Sequence, residues 1–522
     1  MPQRISRFPA RLPGGRREPK REEFPNAVIS RTRVVMHIEA AATPQSRKIS
    51  RYQVALILLF VFTLPLVNPW IRGDGVGYYA FARSLLIEHK LDFTQDWLRA
   101  NASFRMGRLD ADGQIDPGQY TSTGHLDNHF SIGPAILWSP FLIAAHAGVL
   151  FADRFGARIP ADGFSRPYTF AMALGTALYG FLAVVISFAL ARRFVSDFWA
   201  FIAAVGIWFG SSLPAYTYFD PSWSHAQSAF VVALFVWYWL RTRGRRSIAQ
   251  WAVLGAIAGL MVDVYYVTAA VVLLPIVESL AGYWQSLRAI PRVSVAPLIA
   301  GNAVFSVVLI AVFFPTLVAK KIIYGSFFNF GYTEHWYWNS PAFFKVCFSS
   351  NHGLFTWTPI LVLSILGLFA LRAHDRALSA YLIGVFVLYL YVMGCYENWH
   401  GISSFGSRFF VALTPLFVIG LAALFDWVAR KSTPYRARIM ALGTTSALVL
   451  WNLGLLFQWG MHLIPPRGPI SWRDAAYNQV AVVPRDAASA MKAYLTRRSN
   501  LMQHIERTDV KELKSQEDRS AE

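Results

Sequence analysis

Residues 134–152 read PAILWSPFLIAAHAGVLFA, and whether this stretch crosses a membrane decides how the rest of the chain is laid out. It is long enough to do so, because roughly 17–25 apolar residues at about 1.5 Å rise each cover a hydrocarbon core about 30 Å thick. Stretches of the same kind recur at 53–70, 168–191, 198–219, 225–240, 250–262, 264–280, 296–318, 355–371, 378–395, 409–427 and 439–463. Of 522 residues, 55% are hydrophobic and 15% charged, which excludes a soluble enzyme of this size. The period-2 alternation of an outer-membrane barrel is absent. The chain reads as an all-α polytopic integral membrane protein.

Basic residues fix the sides. The chain carries a formal charge of +19, and its first 52 residues hold Arg4, Arg7, Arg11, Arg16, Arg17, Lys20, Arg21, Arg31, Arg33, Arg47, Lys48 and Arg51 with no nucleic-acid-binding motif among them. That pattern predicts a cytoplasmic tail and no nucleic-acid partner. A secretory signal does not fit, since the first apolar stretch starts some fifty residues in and lacks a small-residue cleavage site. The short loops holding Arg192 and Arg193, then Arg241 to Arg246, then Arg288 and Arg292, Arg372 and Arg376, and Arg430 to Arg438 should all be cytoplasmic as well. They all land inside only if 134–152 fails to cross. It is therefore expected to be a re-entrant or interfacial helix in the first outer loop, beside about eleven transmembrane helices, with the carboxyl terminus outside.

This topology divides the chain into a basic tail (1–52), a transmembrane domain (53–463) with outer loops 71–167, 319–354 and 396–408, and a polar extracytoplasmic tail (464–522). The runs 250–262 and 264–280 would form one span but for Asp263, which costs about 2.5–3.5 kcal/mol at a bilayer centre. A tight hairpin should set Asp263 at the outer surface. Cys347 and Cys395 are too few for a disulfide framework, and two free thiols are expected.

On the outer face the topology gathers Asp74, His125, Asp127, Asp220, His225, Asp263, Glu334, His335, His352, Glu397, His400 and Arg408. Carboxylates, imidazoles and a guanidinium under long aromatic loops have the makings of an active site; the plain alternative is a wet protein surface. Asp74 is the most informative, lying in Gly73-Asp74-Gly75-Val76-Gly77 where the first span leaves the bilayer. Flanking glycines leave its carboxylate unshielded, as a general base requires. An N-cap for a helix starting near Gly75 is the equal alternative. His225, His352 and His400 lack the spacing that puts two metal ligands on one helical face, so no metal site is assigned and a divalent-metal requirement stays open. Trp336, Trp338, Trp357 and Trp399 suit either sugar faces or interfacial anchoring.

The segment Gly73-Asp74-Gly75-Val76-Gly77-Tyr78-Tyr79-Ala80, then Leu91-Asp92-Phe93 and Ser131-Ile132-Gly133-Pro134-Ala135-Ile136-Leu137-Trp138, resembles bacterial membrane glycosyltransferases of the GT-C superfamily. These are related to the dolichyl-phosphate-mannose-protein mannosyltransferases and to bacterial glycolipid sugar transferases. Pro221-Ser222-Trp223-Ser224-His225, Ser349-Ser350-Asn351-His352-Gly353-Leu354-Phe355 and Ser404-Phe405-Gly406-Ser407-Arg408-Phe409 add to the likeness, which runs from residue 53 to about 430. The resemblance implies a GT-C-like fold in a bacterial inner membrane, a polyprenyl-phosphate-linked sugar as donor, and a catalytic first-loop carboxylate that maps onto Asp74. The chain departs from that pattern at Met261-Val262-Asp263, where relatives carry a cation for the carrier phosphate, and in lacking a second carboxylate beside Asp74.

Together these readings predict an inverting glycosyltransferase acting at the outer face on a glycolipid, polysaccharide or protein acceptor. Asp74 would activate the acceptor hydroxyl, and Arg408, with Lys320 and Lys321, would hold the phosphate. His225, His352 and Glu397 would line the cavity. The rival is a transporter or flippase for a lipid-linked or anionic substrate, with Asp263 and Glu397 along its path; a non-catalytic assembly factor is a third reading.

Overall fold

The computed structural model describes residues 50–244, 246–291 and 294–521, with side chains through 515. The basic tail from Arg4 to Lys48, Arg245 and Arg292 lie outside the described residues.

Serine and glutamine start the first helix: the Ser50 hydroxyl and the Gln53 side chain each take up a free backbone N–H, and α1 runs Arg51–Thr63 with a 3-10 turn to Leu66. The chain is then non-helical to Gly73, where α2 (Asp74–Arg83) begins. The short helices α3 (Thr94–Arg99) and α4 (Ala102–Arg105) follow, and the first outer segment ends in α5 (Gly133–Asp153). Next come α6 (Arg166–Ala191), α7 (Asp197–Gly210), α8 (His225–Thr242), α9 (Ile248–Val264), α10 (Leu273–Arg288) and α11 (Ala296–Tyr324). After α12 (Phe343–Phe348) and α13 (Leu354–Trp357), the helices α14 (Ile360–Ala370), α15 (Arg376–Cys395), α16 (Thr414–Lys431) and α17 (Pro434–Gly460) complete the apolar part. The tail forms α18 (Trp472–Tyr477), α19 (Val483–Thr496) and α20 (Arg498–Ala521). Pairing between extended segments is limited, among the described residues, to isolated bridges.

The fold is all-helical, and each apolar stretch read from the sequence falls on a helix. Among the described residues, seven helices are long and apolar enough to cross a membrane, α5 among them, and α1, α7, α9 and α14 are shorter apolar helices. The basic loops meet at one end of the bundle. Arg243 reaches Asp375 at 3.0 Å and Arg246 reaches Glu278 at 2.8 Å, tying the α8–α9 turn to α10 and to the start of α15. Arg438 at the head of α17 lies 5.3 Å over Phe198 at the head of α7.

α5 is one continuous helix. Gly133 abuts the backbone of Asp263 and Val264 at the far end of α9. His146 meets the Tyr168 hydroxyl at 2.6 Å, near the start of α6. Both of those helix ends lie opposite the basic loops, and α5 packs along the first half of α6, where Trp138 donates to Thr176.

Bare glycine surfaces set how deep the neighbouring helices sit. A Cβ on Gly255 would come within 2.5 Å of the Phe305 carbonyl, and one on Gly367 within 1.8 Å of the Gly420 carbonyl. These contacts press α9 onto α11 and α14 onto α16, fixing the outer ends of α9 and α16. Cys347 and Cys395 are free and buried.

The tail folds back over the exit of α1. Tyr494 donates to the Leu66 carbonyl at 2.7 Å, Arg498 to those of Val67 and Pro65 at 2.5 and 2.6 Å, and Arg72 pairs with Asp509 at 2.5 Å.

Inside the first outer segment, Arg83 is 1% exposed and forks onto Asp96 at 2.7 and 2.5 Å while reaching Glu88 at 2.5 Å. Removing one partner of a buried pair leaves an uncompensated charge, so Arg83→Met should cost about 3–5 kcal/mol in thermal or denaturant unfolding. Arg99→Ala, in the more exposed pair with Asp162, should cost at most about 1 kcal/mol. Equal losses would mean that the buried pair does not hold this segment.

Candidate active site at the exit of the first helix

Three glycines bring the start of α2 against its neighbours. Gly73 adopts φ +54°, where a side chain is strained, and a Cβ there would meet the Trp223 ring at 2.9 Å. A Cβ on Gly75 would fall 2.0 Å from Ser222 Oγ, and one on Gly77 2.1 Å from Phe130. The first turn of α2 thus rests directly on Ser222 and Trp223. Asp74 opens the helix, with Gly73 at the N-cap position and no side-chain cap. The capping alternative is therefore set aside: Asp74 stands one position inside the helix, its carboxylate favoured by the helix dipole and one-third exposed.

That carboxylate has a partner. Arg408 Nη1 lies 2.8 Å from Asp74 Oδ2. The guanidinium is buried, 4.4 Å over the Trp223 ring and 5.3 Å over Phe409, and its Nε has no hydrogen-bond acceptor. Trp223 is itself fixed, its Nε1 donating to the Arg72 carbonyl at 2.9 Å. The loop carrying Arg408 is shaped by Gly401 and Gly406, at φ +75° and +57°, and the Phe405 N–H donates to the Tyr216 hydroxyl at 3.0 Å.

An aromatic shell surrounds the pair. The buried His225 ring stands 4.7 Å from Tyr216, 5.4 Å from Tyr265 and 6.0 Å from Trp223. Tyr332 and Tyr396 lie within electrostatic reach of the pair, and burial raises the pKa of both phenols. Arg108 and His129, from the first outer segment, also feel Asp74; burial lowers the pKa of each while the Asp74 and Asp127 charges oppose the shift. His352 is buried against Trp357 at 4.8 Å. Burial, then His400, then Arg408 push its pKa down to about 3, and burial followed by Arg408 lowers that of His400. Neutral rings leave Arg408 to carry the positive charge in this corner. Burial also raises the Asp220 carboxyl to about 6, with Arg72 opposing.

Asp74, Arg408 and His225 thus come together. Lys320 stands elsewhere: it is fully buried, and its Nζ donates to the Asn128 and Phe130 carbonyls at 2.9 and 2.8 Å. Asn128 in turn donates to the Gly77 carbonyl at 3.0 Å, so Lys320 braces the strip beneath α2. Lys321 is exposed and bonds the Gly325 carbonyl at 2.7 Å, outside the site. Glu397 is also exposed; it accepts the His335 N–H at 2.9 Å and clamps two outer loops together, and it is not the partner of Arg408. Asp263 corrects the sequence reading, being fully buried rather than at the outer surface. The chain turns at the extended Tyr265, and the tight α9–α11 contact leaves the Asp263 side chain under α11, accepting from Thr316 Oγ1, with Oδ2 unpartnered. Lys320, on α11, lies within electrostatic reach of Asp263. Among the described residues, no three of His, Cys, Asp and Glu converge as a metal site.

The close seat of α2 is testable. Gly75→Ala drives a methyl into Ser222 and should cost about 1–3 kcal/mol, displacing Asp74 from Arg408. Gly148→Ala on α5, with nothing within 4 Å, should stay within about 0.5 kcal/mol. Equal unfolding midpoints for the two variants would contradict the packing described.

No family model matches the chain, and no curated protein matches it. Among solved structures, the chain is similar to the crystal structure of ArnT from Cupriavidus metallidurans bound to undecaprenyl phosphate, at 13% identity and a TM-score of 0.44 over 78% of this chain and 70% of that one. At that identity and score no residue role is carried from one chain to the other.

Proposed function

We propose that the protein transfers a sugar from a polyprenyl-phosphate-linked donor to a glycolipid, polysaccharide or protein acceptor at the outer face of a bacterial inner membrane. The observation that carries this reading is the Asp74–Arg408 pair: a partly exposed carboxylate and a buried guanidinium whose Nε lacks an acceptor. The GT-C resemblance in the segments around Asp74, His225 and Arg408 supports it.

The chemistry follows from the two groups. One Asp74 oxygen faces Arg408, leaving the other to accept a hydrogen bond from the acceptor hydroxyl and take its proton. The acceptor oxygen bonds to the anomeric carbon as the carbon–oxygen bond to phosphate breaks, with inversion. The lipid phosphate leaves with an added negative charge, and Arg408, fixed on Trp223 in a water-poor setting, offers Nε–H to it. Because the guanidinium is already oriented, little reorganisation is needed as that charge develops. The partly exposed Tyr265 gives the sugar an aromatic face, backed by the buried His225 and Tyr216.

Purified protein in proteoliposomes, offered a panel of radiolabelled polyprenyl-phosphate hexoses and pentoses with cell-envelope acceptors, provides the test. Asp74→Asn keeps size and removes basicity, so transfer should fall by about 10²–10⁴-fold. Arg408→Lys should raise the donor concentration needed for half-maximal rate, since an ammonium cannot reproduce the guanidinium's paired hydrogen bonds. Asp74→Asn activity within a few-fold of wild type would remove Asp74 from the reaction. Unchanged donor dependence in Arg408→Lys would leave Arg408 as a brace for α2.

A further inference from the structure

Arg72, whose carbonyl holds Trp223, and Ser403, on the loop that carries Arg408, line a cavity of about 650 Å³. Its walls are the outer half of α1, the end of α17, and α19 and α20 of the tail. Phe62 and Leu450 line it and are 83% and 66% exposed, so the space runs out between α1 and α17 toward the lipid-facing side. Deep in, the lining turns polar at Arg72, Asp220, His462 and Asp509. Asp509 is satisfied there by Arg72 at 2.5 Å and His462 at 2.9 Å. Asp220, 5% exposed, faces the same space with Arg72 as its main counter-charge, and burial raises its carboxyl to about 6 while Arg72 opposes the shift.

We propose that this cavity holds one fatty acyl chain of an outer-leaflet glycerophospholipid whose headgroup ammonium donates to the Asp220 carboxylate, with its phosphate beside Arg72. Size fits the chain: at about 30 Å³ for each water-sized group the space takes roughly twenty methylenes, about one ordinary acyl chain. Charge selects the headgroup, because Asp220 faces the cavity as an acceptor and takes a cationic donor. Apolar walls open to lipid give the chain a way in, and a cavity of this volume is within the range that small-molecule sites occupy. The tail would then be one side of a lipid site as well as a cover over the exit of α1. This proposal rests on the cavity and on Asp220, and it is independent of the sugar-transfer reading.

Native mass spectrometry of the full-length protein tests it without turnover. The protein in mild detergent is offered equal amounts of phosphatidylethanolamine and phosphatidylglycerol with the same acyl chains, together with undecaprenyl phosphate. One phosphatidylethanolamine should be retained per chain, in preference to both competitors. Ala487→Phe with Ala490→Phe fills the space from α19 and should reduce that retention about tenfold or more, with the unfolding midpoint checked alongside. Should the double variant fail to fold, Asp220→Asn decides alone: it should remove the preference over phosphatidylglycerol, a change of about tenfold for a lost charge-assisted hydrogen bond. Wild-type retention of phosphatidylglycerol at equal level, or displacement of the retained phosphatidylethanolamine by undecaprenyl phosphate, would overturn the proposal. So would phosphatidylethanolamine held at wild-type level in a folded Ala487→Phe, Ala490→Phe protein, or an undiminished preference in Asp220→Asn.

Discussion

The contact between Asp74 and Arg408 ties together the two ends of the membrane domain. One partner opens α2 and the other stands in the turn that leads into α16. A guanidinium this deeply buried needs a counter-charge, and only a carboxylate brought to its edge without a side chain in the way supplies one. The glycines on either side of Asp74 meet that need. Without a Cβ at Gly73 or Gly75, α2 settles onto Trp223 and Ser222, and the same Trp223 ring carries the Arg408 guanidinium. Position, charge and packing are therefore one arrangement.

Much of the fold was legible in the sequence because membrane helices declare themselves locally. Each apolar helix is written in its own apolar run. Asp74 was legible for the same reason, since the glycines beside it are adjacent in the chain. Its partner was not. Glu397, near Arg408 in sequence and of the right charge, turns outward to His335, while a carboxylate from the other end of the chain pairs with Arg408. Pairings over that distance are set by how deep the helices sit, and the glycine contacts that set the depth look, in sequence, like any other small residue in an apolar run.

The remaining misses share this cause. Asp263 reads as a charge that must avoid the bilayer, and it does so by going under α11 instead of out to water. Lys320 reads as a cation at the end of a long span and proves to be a buried brace between α11 and the strip below α2. Tyr216, Tyr265, Tyr332, Tyr396 and Arg108 gather around the Asp74–Arg408 pair from five separate segments, and no spacing within any one segment marks them. Nor did the tail show its role: its contacts with the exit of α1 run largely through backbone carbonyls at Pro65, Leu66 and Val67, which carry no sequence signature.

The account turns on Arg408 receiving the phosphate while Asp74 keeps a free oxygen for the acceptor. An experimental structure of the protein with a polyprenyl-phosphate bound tests this directly. The account predicts a phosphate oxygen at hydrogen-bond distance, about 2.7–2.9 Å, from Arg408 Nε, with Asp74 still at the guanidinium's other edge. A phosphate bound away from Arg408, with Nε still lacking an acceptor, would contradict it.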